Sequence, residues 1–351
     1  MRIGLIDVDG HNFPNLPLMK ISAWHKEQGD TVDWYEPFNG LLEPYDKVYM
    51  SKVFSFTPDY NLPIYASQIE RGGTGYCISL VNGKEVFDQT KNKNLPNEIE
   101  HIYPDYSIYP DLTKDTAYGF LTRGCPRGCG FCHVEKKEGR CSVKVADLSE
   151  FWRGQKNIVL LDPNILACKD HMELLQQLVE SKAKVEFNQG IDIRLVNERN
   201  LELLRKIRLK SVHLAFDRWQ DKDIIEPRLR AFAEAGFDRH KGGVMVYILV
   251  NFDTTLEQDI YRIQLCRELK FSPYPMIYDK EHCDRIYKHL QRWCNNFIFW
   301  SVPTFEEYLK TRKEYRGKPD YGIIVDGLIE RVVNYEVLIE KWREKNGTDV
   351  D

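Results

Sequence analysis

Three of the chain's nine cysteines lie within eight residues, in the segment Leu121-Thr-Arg-Gly-Cys125-Pro-Arg-Gly-Cys129-Gly-Phe-Cys132. Thiolates at this C-x3-C-x2-C spacing can surround an iron–sulfur cluster from a single loop. The glycines between them permit positive φ angles and keep side chains away from the cluster. Three cysteines leave one iron of a four-iron cubane without a protein ligand, so that iron can bind a substrate or cofactor.

Zinc is the main competing metal for these thiols. Structural zinc takes four protein ligands, and the fourth could come from His133 or Cys141. A non-catalytic iron–sulfur or zinc protein that uses the loop structurally is therefore a second hypothesis, from a different class.

The motif, with an aromatic residue just before its third cysteine, resembles the signature of the radical S-adenosylmethionine (SAM) superfamily. The resemblance implies a 4Fe–4S cluster held by Cys125, Cys129 and Cys132, whose open iron chelates the amino and carboxylate groups of SAM. One electron from the cluster would then cleave SAM to methionine and a 5′-deoxyadenosyl radical that abstracts hydrogen from a substrate. It implies an electron donor such as flavodoxin or ferredoxin, and leaves the substrate, a small molecule or a peptide, unidentified.

Further cofactor-binding residues follow from the same resemblance. Asp162 or Asn164 stands where the family often has a Gly-Gly-Glu motif that binds the SAM amino group, and the backbone of Phe131 would meet the adenine. Polar residues at the ends of the next two predicted strands are candidates for ribose, carboxylate or substrate contacts, or equally for strand-end caps and ion pairs. These residues are Gln189, Asp192, Arg194 and Asp217.

The sequence Asp9-Gly10-His11-Asn12-Phe13-Pro14 follows the first predicted strand. It resembles the D-x-H-x-x-G motif of cobalamin-binding domains, in which the histidine replaces the lower ligand of cobalt, although Pro14 stands in place of the final glycine. Bound cobalamin is therefore a possible second cofactor, and would make methyl transfer the leading reaction. The alternative is a cofactor-free domain of the same ancestry, in which His11 caps a turn.

The elements that must position these residues are those of an α/β protein. The pattern of residues 1–95 predicts a small Rossmann-like domain, with strands at 2–8, 31–35 and 47–50 and a helix at 16–28. Residues 96–115 are rich in proline, which predicts a linker or an ordered segment that wraps between domains. Residues 116–280 predict a partial (βα)6 barrel, and 281–351 a mainly helical region. The six predicted barrel strands are 116–122, 157–161, 184–188, 211–216, 243–250 and 273–278.

Local signals place some helix boundaries in the barrel. A helix is predicted at 223–235, before Gly236. Asp170 with Glu173, and Thr254 with Glu257, have the spacing of capping boxes that open two others.

Composition excludes several classes of protein. No apolar run approaches the roughly 20 residues that cross a bilayer, and the start of the sequence does not resemble a signal peptide, so a cytoplasmic protein is expected. The net charge of −4 does not indicate nucleic-acid binding. An RNA-modifying radical SAM enzyme stays open as an alternative, but Cys283 and Cys294 lack a third partner for a second cluster and are expected to be buried apolar side chains.

Overall fold

The structure, a computed structural model, describes residues 1–81, 84–295 and 297–311. The chain divides into two compact units. The first comprises the described residues of 1–189 and 206–208, and the second comprises residues 190–205 and the described residues from Leu209 onward.

The first unit begins with a parallel four-stranded sheet in the order β2-β1-β3-β4. Its elements are β1 (Arg2–Asp7), α1 (Leu16–Glu27), β2 (Thr31–Trp34), α2 (Pro37–Leu42), β3 (Tyr45–Ser51) and β4 (Ala66–Gly72). Helix α1 begins where the Asn15 side chain accepts a hydrogen bond from the backbone of Leu18. Ile3 and Leu5 of β1 are buried with Leu18 of α1, so the helix covers one face of the sheet.

Short elements connect this sheet to the rest of the unit. They are α3 (Thr74–Cys77), the antiparallel hairpin of β5 (Ile78–Val81) and β6 (Lys84–Phe87), α4 (Asn97–Glu100) and α5 (Pro110–Thr113). The segment expected to be a linker or wrap is ordered, since Ile99 enters the core beside α1 and the Asp105 backbone N–H donates to the Met19 carbonyl.

Three parallel strands in the order β11-β10-β7 complete the first unit. The elements are β7 (Thr116–Gly119), β8 (Thr122–Arg123), α6 (Val134–Glu138), β9 (Val143–Lys144), β10 (Asn157–Leu160), α7 (His171–Ser181) and β11 (Lys184–Phe187). Strands β8 and β9 form a two-residue antiparallel ladder that closes the loop between them.

The second unit also contains three adjacent parallel strands, in the order β14-β13-β12. Its elements are α8 (Glu198–Lys206), β12 (Arg208–Ala215), α9 (Lys222–Glu234), β13 (Val244–Val250), α10 (Leu256–Glu268) and β14 (Ser272–Ile277), except that the last residue of α8, Lys206, and the first of β12, Arg208, belong to the first unit. The strand β13 alternates between fully buried Val244, Val246 and Ile248 and half-buried Met245 and Tyr247, so its two faces have different surroundings.

Up to residue 311 the structure describes three more helices, α11 (Arg285–Cys294), α12 (Ile298–Ser301) and α13 (Phe305–Lys310). Trp293, Phe299 and Phe305 pack together in this region and are buried. Residues 312–351, which belong to the predicted helical region, lie outside the described residues.

The mixed α/β class with parallel sheets is confirmed. All nine strands predicted from apolar runs are present, with their ends shifted by at most three residues. The (βα)6 barrel, the Rossmann-like architecture and the domain boundaries stay predictions. The capping box expected at Thr254 and Glu257 is wrong by one residue: Thr255 and Gln258 form it, because α10 begins at Leu256. Asp170 precedes α7 but makes no side-chain capping bond.

Candidate functional site

The three clustered cysteines lie on one loop, which begins after β8 and returns to β9. The paired ends of this loop, Arg123 and Val143, are fixed by the β8–β9 ladder. Inside the loop, the Cys125 backbone N–H donates to the Gly139 carbonyl at 3.2 Å, and the Cys132 N–H donates to the Cys129 carbonyl at 2.9 Å. The loop therefore has a defined backbone, from which half-buried Cys125, Cys129 and Cys132 project.

Gly124 immediately precedes the first of these cysteines, and any other residue at this position would strain the loop. Its φ is +87°, and a Cβ built on it would lie 2.1 Å from the backbone carbonyl oxygen of Cys141. Only glycine permits both the left-handed backbone and this close approach of the two sides of the loop.

Asp162 braces the same loop from the carboxyl end of β10. Its buried carboxylate accepts hydrogen bonds from the backbone N–H groups of Leu121 and Thr122 and from the Thr122 hydroxyl. Burial raises the pKa of the Asp162 carboxyl to about 6, and the donors oppose this shift. Both carboxylate oxygens are used within the protein, and the expected contact with the SAM amino group stays a prediction.

Asn164, the second residue proposed for that contact, lies beside the first cysteine. Its Nδ2 is 3.5 Å from the Cys125 sulfur, and its carbonyl oxygen accepts a hydrogen bond from the Ser142 hydroxyl at 2.9 Å. An amide directed at a thiolate stabilises the negative charge on sulfur, which is a known influence on cluster properties.

Glu138, which was not expected from the sequence, fixes the entry to the loop. Its carboxylate accepts from the Gly124 N–H at 3.2 Å and from the Arg123 guanidinium at 3.1 Å. Arg123 also lies 3.7 Å from Glu100, which pairs with Lys20 of α1 at 2.9 Å. The ion pairs of Glu138, Arg123, Glu100 and Lys20 therefore join α1 to the cysteine loop. Burial lowers the pKa of the Lys20 ammonium, and the neighbouring Glu100 carboxylate opposes this shift.

The donor set and the loop fit an iron–sulfur cluster. All nine cysteines lie within the described residues and are thiols, three of them on the glycine-rich loop. Each thiolate of such a cluster binds a different iron, whereas zinc needs its ligand atoms at about 2.0–2.3 Å from one point. No group of three or more His, Cys, Asp or Glu side chains in the described ranges is placed to hold a single metal ion.

The two residues considered as a fourth zinc ligand have other surroundings. Nε2 of His133 lies 3.1 Å from Glu85, and the ring stacks on Phe87 of the β5–β6 hairpin. Cys141 is exposed and lies two residues before β9.

Two further predicted contacts belong to the first unit. Phe131 is half-buried on the cysteine loop, and Gln189 is exposed two residues after the end of β11. Their contacts with SAM stay predictions.

The second unit contains the other three predicted residues. Asp192 accepts hydrogen bonds from the backbone and guanidinium of Arg194, and Arg194 reaches Asp221 at 2.7 Å. Asp217 accepts from the Leu249 N–H at 2.9 Å, and burial raises the pKa of its carboxyl. These bonds show strand-end ion pairing and capping, and the expected ligand contacts stay predictions.

His11 lies after β1, at the carboxyl edge of the four-stranded sheet. Its side chain is exposed, and its ring packs on Trp34 at a centroid distance of 4.2 Å. Asp9, two residues before His11, accepts hydrogen bonds from the Phe54 N–H and the Thr57 hydroxyl. It therefore holds the loop after β3.

No protein-family model matches the chain, and no curated protein matches it. Within the described residues, no helix has the length and apolarity needed to cross a lipid bilayer.

Comparison by structure does find matches. Two are structures of the radical SAM methyltransferase TsrM from Kitasatospora setae, one with cobalamin and a [4Fe–4S] cluster and one with tryptophan and the SAM analogue aza-SAM. Their TM-scores are 0.56 and 0.55 at 10% identity, and each alignment covers 79% of this chain and 72% of the other. SuiB of Streptococcus suis bound to SAM also matches, with a TM-score of 0.37 at 16% identity over 60% of this chain and 52% of the other. The chain therefore shares its fold with TsrM, a solved enzyme of the superfamily that the cysteine motif resembles.

Proposed function

We propose that the chain is a radical SAM enzyme, which binds a 4Fe–4S cluster through Cys125, Cys129 and Cys132 and acts on an unidentified small molecule or peptide. The observation that carries the proposal is the cysteine loop, in which three thiols project from one braced backbone. The fold shared with TsrM supports it independently of the motif.

The residues around the loop have separable tasks in this proposal. Asp162 and Glu138 hold the backbone before Cys125, and Gly124 lets the loop close against Cys141. Asn164 donates toward the Cys125 sulfur and stabilises its thiolate form. When bound, the cluster supplies the electron that cleaves SAM to methionine and a 5′-deoxyadenosyl radical, after a donor such as flavodoxin or ferredoxin has reduced it.

A spectroscopic experiment tests the open coordination position. The protein is reconstituted anaerobically with iron and sulfide and reduced with dithionite, and SAM is added while the electron paramagnetic resonance (EPR) spectrum is recorded. We expect SAM to change the spectrum, because it binds the iron that lacks a protein ligand. A reduced cluster whose spectrum does not respond to SAM would instead favour a structural cluster with four protein ligands.

Cobalamin-assisted methyl transfer is a second candidate, and one specific arrangement favours it. In the parallel order β2-β1-β3-β4, strands β1 and β3 are neighbours. The chain leaves β1 toward β2 on one side and leaves β3 toward β4 on the other. Open α/β sheets bind ligands at the carboxyl ends of two strands whose outgoing connections diverge in this way. Exposed His11 follows β1. Exposed Phe54 and Phe56, stacked at 5.3 Å, follow β3. A histidine and an exposed aromatic pair at the same edge of a sheet are suited to a corrinoid ring and its metal.

Retention of a corrinoid tests this candidate. The anaerobic protein is incubated with hydroxocobalamin and separated from excess by gel filtration. We expect the wild-type protein to retain the corrinoid and His11→Ala to change its visible spectrum, because the cobalt loses a ligand. The control is His101→Ala, an exposed histidine paired with Glu150. If the wild-type protein retains no corrinoid, methyl transfer through cobalamin is ruled out, whereas the cluster proposal is unaffected.

A further inference from the structure

A cavity of about 390 Å³ opens at the amino ends of β10 and β11. Its walls include Asn157 and Lys184, the first residues of those two strands. Since β7, β10 and β11 are parallel, this cavity lies at the opposite end of the strands from Asp162 and the cysteine loop that it braces. The volume is within the range of small-molecule sites, about 300–1,000 Å³.

The side chains that line the cavity include four cations and no carboxylate. Four of the lining residues are Lys156, Lys182, Lys184 and Arg208, and the lining contains no Asp or Glu. Among the residues that the structure describes, Lys156 is the one of these four that has an acidic partner, Asp115 at 3.0 Å. Although the net charge of the chain is −4, four cations around one cavity produce a positive electrostatic potential there.

The other three cations keep their charge available. Within the described part of the chain, Lys182 and Lys184 form no ion pair, and Arg208 donates from Nη1 to the Lys182 carbonyl at 3.0 Å. This bond directs the guanidinium along the wall without neutralising it. Guanidinium and ammonium groups are the usual donors to phosphate oxygens.

One wall of the cavity is aromatic. Trp152 lines it, and its indole Nε1–H donates to the Gln155 carbonyl at 2.8 Å, which fixes the ring. A fixed indole offers a flat apolar surface on which a planar ring can stack.

We propose that this cavity binds a phosphate monoester that carries a planar ring, of the class of nucleoside monophosphates. Lys182, Lys184 and Arg208 bind the phosphate, and Trp152 contacts the ring. The site is distinct from the cysteine loop and does not depend on the function proposed for it.

Calorimetric titration at constant ionic strength tests the site with uridine 5′-monophosphate, which lacks the adenine of SAM. We expect the full-length protein to bind it, and to bind uridine or inorganic phosphate at least about tenfold more weakly, which corresponds to about 1.4 kcal/mol. The double variant Lys184→Gln/Arg208→Gln is expected to weaken binding of the nucleotide by at least the same factor, and Trp152→Ala to reduce its affinity to that of inorganic phosphate.

The double variant Lys93→Gln/Lys169→Gln is the matched control, since it removes the same charge from two exposed positions that do not line the cavity. It should bind like wild type, and both double variants should keep the wild-type melting temperature. The proposal is overturned if wild type does not bind the nucleotide, or if the two double variants lose affinity equally. Equal affinity of wild type for the nucleotide and for inorganic phosphate would likewise exclude the ring contact.

Discussion

Cys129→Ala is expected to remove the broad visible absorbance of the anaerobically reconstituted protein and most of its bound iron. The three thiols on the loop are the whole protein ligand set of the proposed cluster, and a loop with two thiolates holds a cubane at only two irons. Iron and sulfide analysis beside the visible spectrum measures the loss.

Cys141→Ala is the matched control for this result. Cys141 lies at the return of the same loop, so its replacement removes a thiol from the segment without removing a proposed ligand. We expect its iron content and spectrum to equal those of wild type. Unchanged iron in Cys129→Ala, or equal loss in Cys141→Ala, would contradict the assignment of the ligands.

Gly124→Ala is expected to prevent cluster assembly although all three thiols remain. A positive φ costs an L-residue about 1–3 kcal/mol. The added Cβ would also lie 2.1 Å from the Cys141 carbonyl oxygen, so one side of the loop must move. We expect a lower free energy of unfolding of the apoprotein in urea and little bound iron after reconstitution.

Two other glycines of the same loop separate the backbone cost from the steric one. Gly139→Ala introduces a side chain at a φ of +97° where no atom lies within 4 Å, and Gly130→Ala introduces one into open space without a positive φ. The expected order of destabilisation is therefore Gly124, Gly139, Gly130. If Gly124→Ala and Gly139→Ala lower the free energy of unfolding equally and bind equal amounts of iron, the close contact of Gly124 with Cys141 does not shape the site.

The position of the three thiols on one loop could be predicted from the sequence because the motif is local. It spans eight residues, and its spacing alone assigns all three thiols to the same loop. Buried parallel strands such as β10 and β13 are likewise evident as short apolar runs.

The supports of the loop could not be predicted, because they come from distant positions. Asp162 accepts from Thr122 across 40 residues of chain, and Glu138 accepts from Gly124 across 14. Sequence reasoning identified Asp162 as polar and at a strand end, but gave no means of telling a ligand contact from a backbone brace. Glu138 sits in a charged run, Val-Glu-Lys-Lys-Glu, that is also typical of an exposed helix.

Some elements of the fold were missed for a different reason. The strand β4, Ala66–Gly72, has a half-exposed, charged sequence typical of an edge strand, and so lacks the apolar run that identified its neighbours. Arg262 was missed as well, although it is fully buried and donates to the carbonyls of Phe216 and Asp217. An arginine in a helix ordinarily indicates an exposed face, and only tertiary packing reverses that expectation.

The most direct test of the central claim is the production of 5′-deoxyadenosine. The reconstituted protein is reduced with dithionite in the presence of SAM, and the nucleoside is followed by chromatography, with Cys125→Ala and Cys141→Ala treated in parallel. We predict that wild type and Cys141→Ala form 5′-deoxyadenosine and that Cys125→Ala does not. Formation at the same rate in Cys125→Ala, or none by wild-type protein that holds a full cluster, would contradict the claim that the loop cleaves SAM.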